Sequence, residues 1–176
     1  MQVGGSSSPT TGPSSPRPTP SGPPAGGGRT PLAGTCRALA DAAGLTARAP
    51  SVYGDGSGVD PDEELTFDPD ALAVLLGWFK RGDAALRAFA PDAERVLWPE
   101  HFDVGYALDE VNYGVSPGDD GHGAPYAYVG PWTQRAGAFW NASFGAARPA
   151  ADLPVVDAVV AFFEDGRAAA AGSLLE

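Results

Sequence analysis

The sequence predicts an α+β domain, a short antiparallel β-meander packed against helices, with a disordered tail on its N-terminal side. Three observations predict it. Apolar residues recur at helical spacing between residues 31 and 90 and again near the C-terminus. Between roughly residues 102 and 144 they alternate with period two instead. Residues 1–30 hold seven Pro, seven Gly, six Ser and four Thr, a composition that cannot offset its own ordering entropy. Strands and helices segregated along the chain belong to α+β rather than α/β architectures. The 176 residues are enough for one ordinary domain, read here as residues 31–176.

Each element has a local cause. A first helix is expected from Pro31 or Thr35 to Ala43, capped by Thr30 or Thr35 and ended by Gly44. Leu32, Cys36, Leu39 and Ala43 would share its buried face, with Cys36 a small core residue rather than a reactive thiol. Gly54–Glu64 reads as a solvated acidic loop: its glycines follow no strand, and its carboxylates lack the spacing of an EF-hand. Asp68-Pro69-Asp70 starts the next helix with an N-cap, a proline at the first position and an acid for the dipole. Leu72, Leu75, Leu76 and Phe79 form its expected buried stripe. Gly82 interrupts that stripe and Asp83 recaps it, giving a helix pair or one bent helix up to Pro91.

Phe102, Val104 and Tyr106 then alternate with Asp103, Gly105 and Ala107, and Val111, Tyr113 and Val115 with Glu110, Asn112 and Gly114. A turn at Leu108-Asp109 would superpose the apolar faces, set Asp103 opposite Gly114 and Gly105 opposite Asn112. Ser116-Pro117-Gly118-Asp119 suits a type II turn. A third strand is expected at Tyr126–Gly130 and a fourth around Phe139–Phe144. A last helix starts near Asp152 or Pro154 and buries Val156, Val159, Val160 and Phe163.

Charge and composition exclude several functions. The formal net charge is −11, and the scattered arginines form no basic face, so neither nucleic acid nor an anionic membrane is an expected partner. No stretch approaches the ~18 apolar residues of a membrane span. Met1–Arg29 has no apolar core of a signal peptide, which points to the cytoplasm. The single cysteine excludes an intrachain disulfide and a cysteine-built zinc site. One lysine, ten arginines and no isoleucine fit a GC-rich genome.

The runs Leu97-Trp98-Pro99-Glu100-His101-Phe102-Asp103-Val104-Gly105, Asp109 to Asp119 (D-E-V-N-Y-G-V-S-P-G-D), Pro125 to Trp132 (P-Y-A-Y-V-G-P-W) and Phe139-Trp140-Asn141 occur in that order. Together they resemble a family of uncharacterised actinobacterial proteins over roughly residues 31–171, and more weakly a broader domain of unknown function. The resemblance brings no activity with it. It does imply an upstream helix and strands whose place is taken here by the low-complexity tail. On that basis upstream strands are expected to be missing and one or both sheet edges left bare.

The residues that could carry chemistry are few. There is no Gly-x-Ser-x-Gly, and Ser116 precedes a proline in a turn, which argues against a serine hydrolase. Asp119, Asp120 and His122 crowd a glycine-flanked loop, but their spacing matches no established metal site, and neither metal nor cofactor is expected. His101 and Asp103 flank Phe102, so both can point to one side of a strand, and Asp103, Glu110 and Asn112 fall on the hairpin face opposite the apolar one. Small residues beside them leave room for a ligand. Trp98, Tyr113, Tyr126, Tyr128, Trp132 and Trp140 crowd the strand region, where core packing is the expected use and a stacking platform the other. The resulting expectation is a non-catalytic domain that binds a small molecule or a protein on the hairpin face around His101, Asp103, Glu110 and Asn112. The alternative is a hydrolase-type enzyme using His101 with Asp103 and Glu110.

Overall fold

Two glycine–valine contacts set the distance between helices and sheet. In the computed structural model, which describes residues 31–47, 59–99 and 101–172, an ideal Cβ on Gly82 would lie 2.4 Å from a methyl of Val115, and one on Gly166 would lie 2.7 Å from a methyl of Val129. Gly82 lies in helix α2 (Pro69–Phe89) and Gly166 in helix α3 (Val156–Gly172). Both valines lie on the central strands of a five-stranded antiparallel sheet, ordered β1 (Val96–Trp98), β2 (Asp103–Leu108), β3 (Val111–Ser116), β4 (Tyr126–Pro131) and β5 (Ala146–Pro149). Every strand pairs with its neighbour in sequence, so the sheet is a meander, and α2 and α3 cover one face of it. The expected α+β class is therefore the observed one. The tail and the glycines at 54–58 lie outside the described residues.

The core between helices and sheet is aromatic. Phe89 packs on Tyr113 at 4.8 Å and on Phe163 at 5.6 Å between ring centroids, while Trp78, Leu86, Val129 and Phe162 are almost fully buried around them. Buried polar tips find partners: Trp78 Nε1 donates to the Ser116 carbonyl at 2.9 Å, and the Tyr106 hydroxyl to the Leu86 carbonyl at 3.1 Å. Arg148 and Arg167 close the edges by lying over the rings of Phe162 and Phe89.

Several expectations are corrected. Of the two alternatives for residues 68–91, one helix is observed rather than a pair: α2 is continuous, Gly82 is the point where it touches the sheet, and Asp83 pairs with Arg87 and Arg95 instead of recapping. The buried phase of α2 is set by Trp78, Gly82, Ala85, Leu86 and Phe89, so Leu72, Leu75 and Phe79 are half-buried and Leu76 is 51% exposed. In α3, Val159 and Phe163 are buried as expected, joined by Phe162, whereas Val156 and Val160 are half-buried. Helix α1 (Cys36–Ala42) is capped by the Thr35 hydroxyl but buries no residue. Cys36 and Leu39 are half-buried and Leu32 and Ala43 exposed. An Arg37–Asp62 ion pair and a Thr35↔Glu64 bridge tie this helix to the segment 60–65.

The β2–β3 turn is at Asp109-Glu110, both with positive φ (51° and 62°), instead of Leu108-Asp109. Moving the turn by one residue keeps Leu108 in the strand, paired with the buried Val111 on the helix-facing side. The faces are unchanged, because the register shifts by two residues, but the opposing pairs become Gly105↔Gly114 and Ala107↔Asn112. Strand β1, absent from the sequence reading, pairs Trp98 with Asp103, so the edge strands of the sheet are β1 and β5. The fourth strand expected at Phe139–Phe144 is a loop: Phe139 stacks on Phe162, and the Asn141 side chain bonds both the N–H and the carbonyl of Ala147, holding the start of β5.

Candidate functional site

The face of the sheet turned away from the helices carries a cleft of about 800 Å³. Strand alternation delivers its floor: Asp103, Asn112, Ser116, Tyr126, Tyr128 and Gly130 stand on this side because Val104, Val111, Val115, Ala127 and Val129 stand on the other. The walls come from connections. Trp132 and Phe144 rise from the β4–β5 loop, Gly118, Asp119 and Asp120 from the β3–β4 loop, and Trp98 from the outer strand beside Asp103.

The floor is built around Tyr128. Its ring lies across β3 and β2, and its hydroxyl donates a hydrogen bond to the Asp103 carboxylate. Only glycine permits that path: a Cβ on Gly114 would lie 2.3 Å from the Tyr128 hydroxyl oxygen, and one on Gly105 would lie 2.9 Å from it. The two glycines opposite one another in the β2–β3 register thus form a trough for the ring. Asp103, 8% exposed, is held at one end of it. Burial, reinforced by the neighbouring Asp103 charge, pushes the Tyr128 phenol far above its ordinary value, so it is a fixed donor.

A second tyrosine–carboxylate pair stands at the β3–β4 end. The Tyr126 hydroxyl donates to Asp119 at 2.6 Å, and the other Asp119 oxygen accepts the backbone N–H groups of Gly121 and His122, both at 2.8 Å. The Tyr126 bond, ahead of the two backbone donors, holds the Asp119 carboxyl below its usual range, while burial and Asp119 push the Tyr126 phenol up to about 12. Gly118, at φ 109°, makes the turn that starts this loop. His122, Tyr126, Tyr128 and Phe144 form a ring cluster with Tyr126 and Phe144 stacked. At the opposite end Trp132, 65% exposed, is pinned by its Nε1–H to the side-chain Oδ1 of Asn112 at 3.1 Å.

Of the four candidate residues, the structure brings His101, Asp103 and Asn112 to this cleft. His101 lies in the β1–β2 turn rather than in the strand. Glu110 does not join them. It occupies the β2–β3 turn, the full length of β2 from Asp103 or roughly 17–20 Å, and its backbone carbonyl accepts the Trp132 backbone N–H. A shared role for Asp103 and Glu110 at one reacting atom is therefore out of reach. The aromatics divide: Tyr113 is core as expected, whereas Trp98 and Trp132, 44% and 65% exposed, are walls of the cleft. In the sequence Asp119 reads only as a metal ligand, Tyr128 only as one of six strand-region aromatics, and Phe144 not as a site residue. Only the spacing of Gly105 and Gly114 against Tyr128 in adjacent strands could have signalled the trough.

The lining carries three aspartates and, among the described residues, no lysine or arginine. Among the same residues no group of three or more His, Cys, Asp or Glu side chains is arranged to hold a metal ion, and no helix is long and apolar enough to cross a membrane. Comparison with protein-family models, with curated proteins and with solved structures returned no match to this chain.

Proposed function

We propose that the chain is a non-catalytic binding domain whose small-molecule ligand sits on the polar face of the β2–β3 hairpin and the strand beside it. One observation carries this reading. A cleft of about 800 Å³, within the range of small-molecule sites, lies over a polar floor and between tryptophans exposed to solvent. Two of its polar groups, Asp103 and Asn112, are fixed by hydrogen bonds from Tyr128 and Trp132 before any ligand arrives. Such pre-organisation lowers the entropic cost of binding. The proton chemistry of a hydrolase is less well supported, because Glu110 stands apart from His101 and Asp103.

The test uses the four tryptophans as reporters. In protein labelled with 5-fluorotryptophan, a small-molecule library is screened by fluorine NMR. The reading expects hits that shift Trp98 and Trp132 and leave Trp78, buried between α2 and the sheet, unmoved. Hits that move only Trp78, or bind equally well after Trp132→Ala, would overturn it.

A further inference from the structure

We infer that the ligand of this cleft is a small organic cation, a quaternary alkylammonium or a similarly weakly hydrated group. This rests on the cleft being the binding site and goes further by naming the chemistry it selects. Three features point there.

The first is charge. Asp103, Asp119 and Asp120 line the cleft with no lysine or arginine of the described residues among them, in a chain of net charge −11. Asp119 keeps its charge to low pH because Tyr126 and two backbone N–H groups bond it. An anionic ligand would be repelled from such a site, and a cation drawn to it.

The second is the use of donors. A neutral polyol needs a site that donates as well as accepts. Three of the cleft's donors are spent inside the protein: the Tyr128 hydroxyl on Asp103, the Tyr126 hydroxyl on Asp119, and the Trp132 N–H on Asn112. Each of these bonds consumes a donor, and the two from tyrosine leave carboxylate charge in the site.

The third is the set of π faces. Trp98 stands in register with Asp103 and both line the cleft, so the two side chains leave the sheet from Cβ atoms about 5 Å apart. Trp132 and Phe144 stand at the other wall. Carboxylate charge among aromatic faces is the arrangement that favours a cation with an apolar body over either a hard ion or a sugar.

The test needs no substitution and uses the full chain. Choline is titrated against its uncharged carbon analogue 3,3-dimethylbutan-1-ol and against glucose, read by fluorine signals of labelled tryptophan at low and high salt. The expected result is that choline shifts Trp98 and Trp132, that the neutral analogue binds about tenfold more weakly, and that added salt weakens choline alone. Equal affinity for choline and its analogue would overturn the cation inference and leave the binding site standing, as would binding of glucose without choline. Silence from choline at both salt concentrations would also overturn it. The library screen then decides the fate of the site itself.

Discussion

Replacing Gly114 by alanine tests whether the glycine trough exists to hold Tyr128. The added Cβ would lie 2.3, 2.4 and 2.7 Å from Oη, Cζ and Cε1 of that ring, against contact distances of roughly 3.5–4 Å. The ring must lift by more than about 1 Å, which breaks its bond to Asp103. Losing a hydrogen bond to a charged group costs about 1.5–3 kcal/mol. Uncovering about 50 Å² of ring adds roughly 1 kcal/mol. Alanine in place of glycine in a strand returns about 0.5–1 kcal/mol. The net expectation for Gly114→Ala is a loss of about 2–3 kcal/mol. In a Tyr128→Ala background nothing remains to displace, and the same substitution should stabilise by the last amount alone. Urea unfolding of the four proteins gives a double-mutant cycle with a coupling of about 3 kcal/mol. Additivity within about 0.5 kcal/mol would refute the reasoning. Gly105→Ala is the control: its Cβ would lie 2.4 Å from the Tyr113 carbonyl oxygen, so removing Tyr128 brings no relief.

Three further outcomes are expected. Gly82→Ala should lower the melting temperature, because overpacking against Val115 at 2.4 Å costs about 1–3 kcal/mol and outweighs a helix-propensity gain near 1 kcal/mol; Val115→Ala in the same chain should restore most of it. Tyr106, Tyr113 and Tyr126 have phenols raised by burial to about 12 from 10.0, so their contribution is complete below about pH 10 and is lost as pH rises towards 12. In a Tyr53→Phe variant, which removes the one tyrosine outside the described residues, phenolate absorbance should therefore appear together with the loss of native circular dichroism, and phenolate forming near pH 10 while that variant is still native would contradict this. Asp119 has a carboxyl lowered from 3.8, chiefly by Tyr126, so its contribution is complete above about pH 4 and is lost as pH falls through the lowered value. Tyr126→Phe should flatten the acid limb of a stability–pH curve, and an unchanged limb would show that the bond does not matter.

Where chemistry is local, the sequence is legible. Thr35 and the Asp68-Pro69 pair cap helices as their side chains dictate, and alternation assigned both faces of the hairpin, which placed Asp103 and Asn112 correctly. Legibility fails where a distant neighbour decides. The phase of α2 depends on Gly82 seating against Val115, and a glycine is silent in any apolar pattern, so Leu76 was assigned to the core. Strand β1 has only Val96, Leu97 and Trp98, too short to show alternation, and β5 opens on Ala146-Ala147, too small to look like a strand. The aromatic residues at 139, 140 and 144 imitate one but split between core and cleft. Glu110 was misplaced by a one-residue error in the turn, and the Tyr128–Asp103 bond spans two strand registers that no single segment encodes.

The meander also bears on how such a site could be altered over generations. Its walls rise mainly from the β3–β4 and β4–β5 connections, whose ends are anchored on strands about 5 Å apart. Doubling the length of a connection costs only about 0.6 kcal/mol in closure entropy. Insertions at residues 117–125 or 132–145 can therefore reshape the recognition surface while Val115, Val129 and the two helices that seat against them stay as they are.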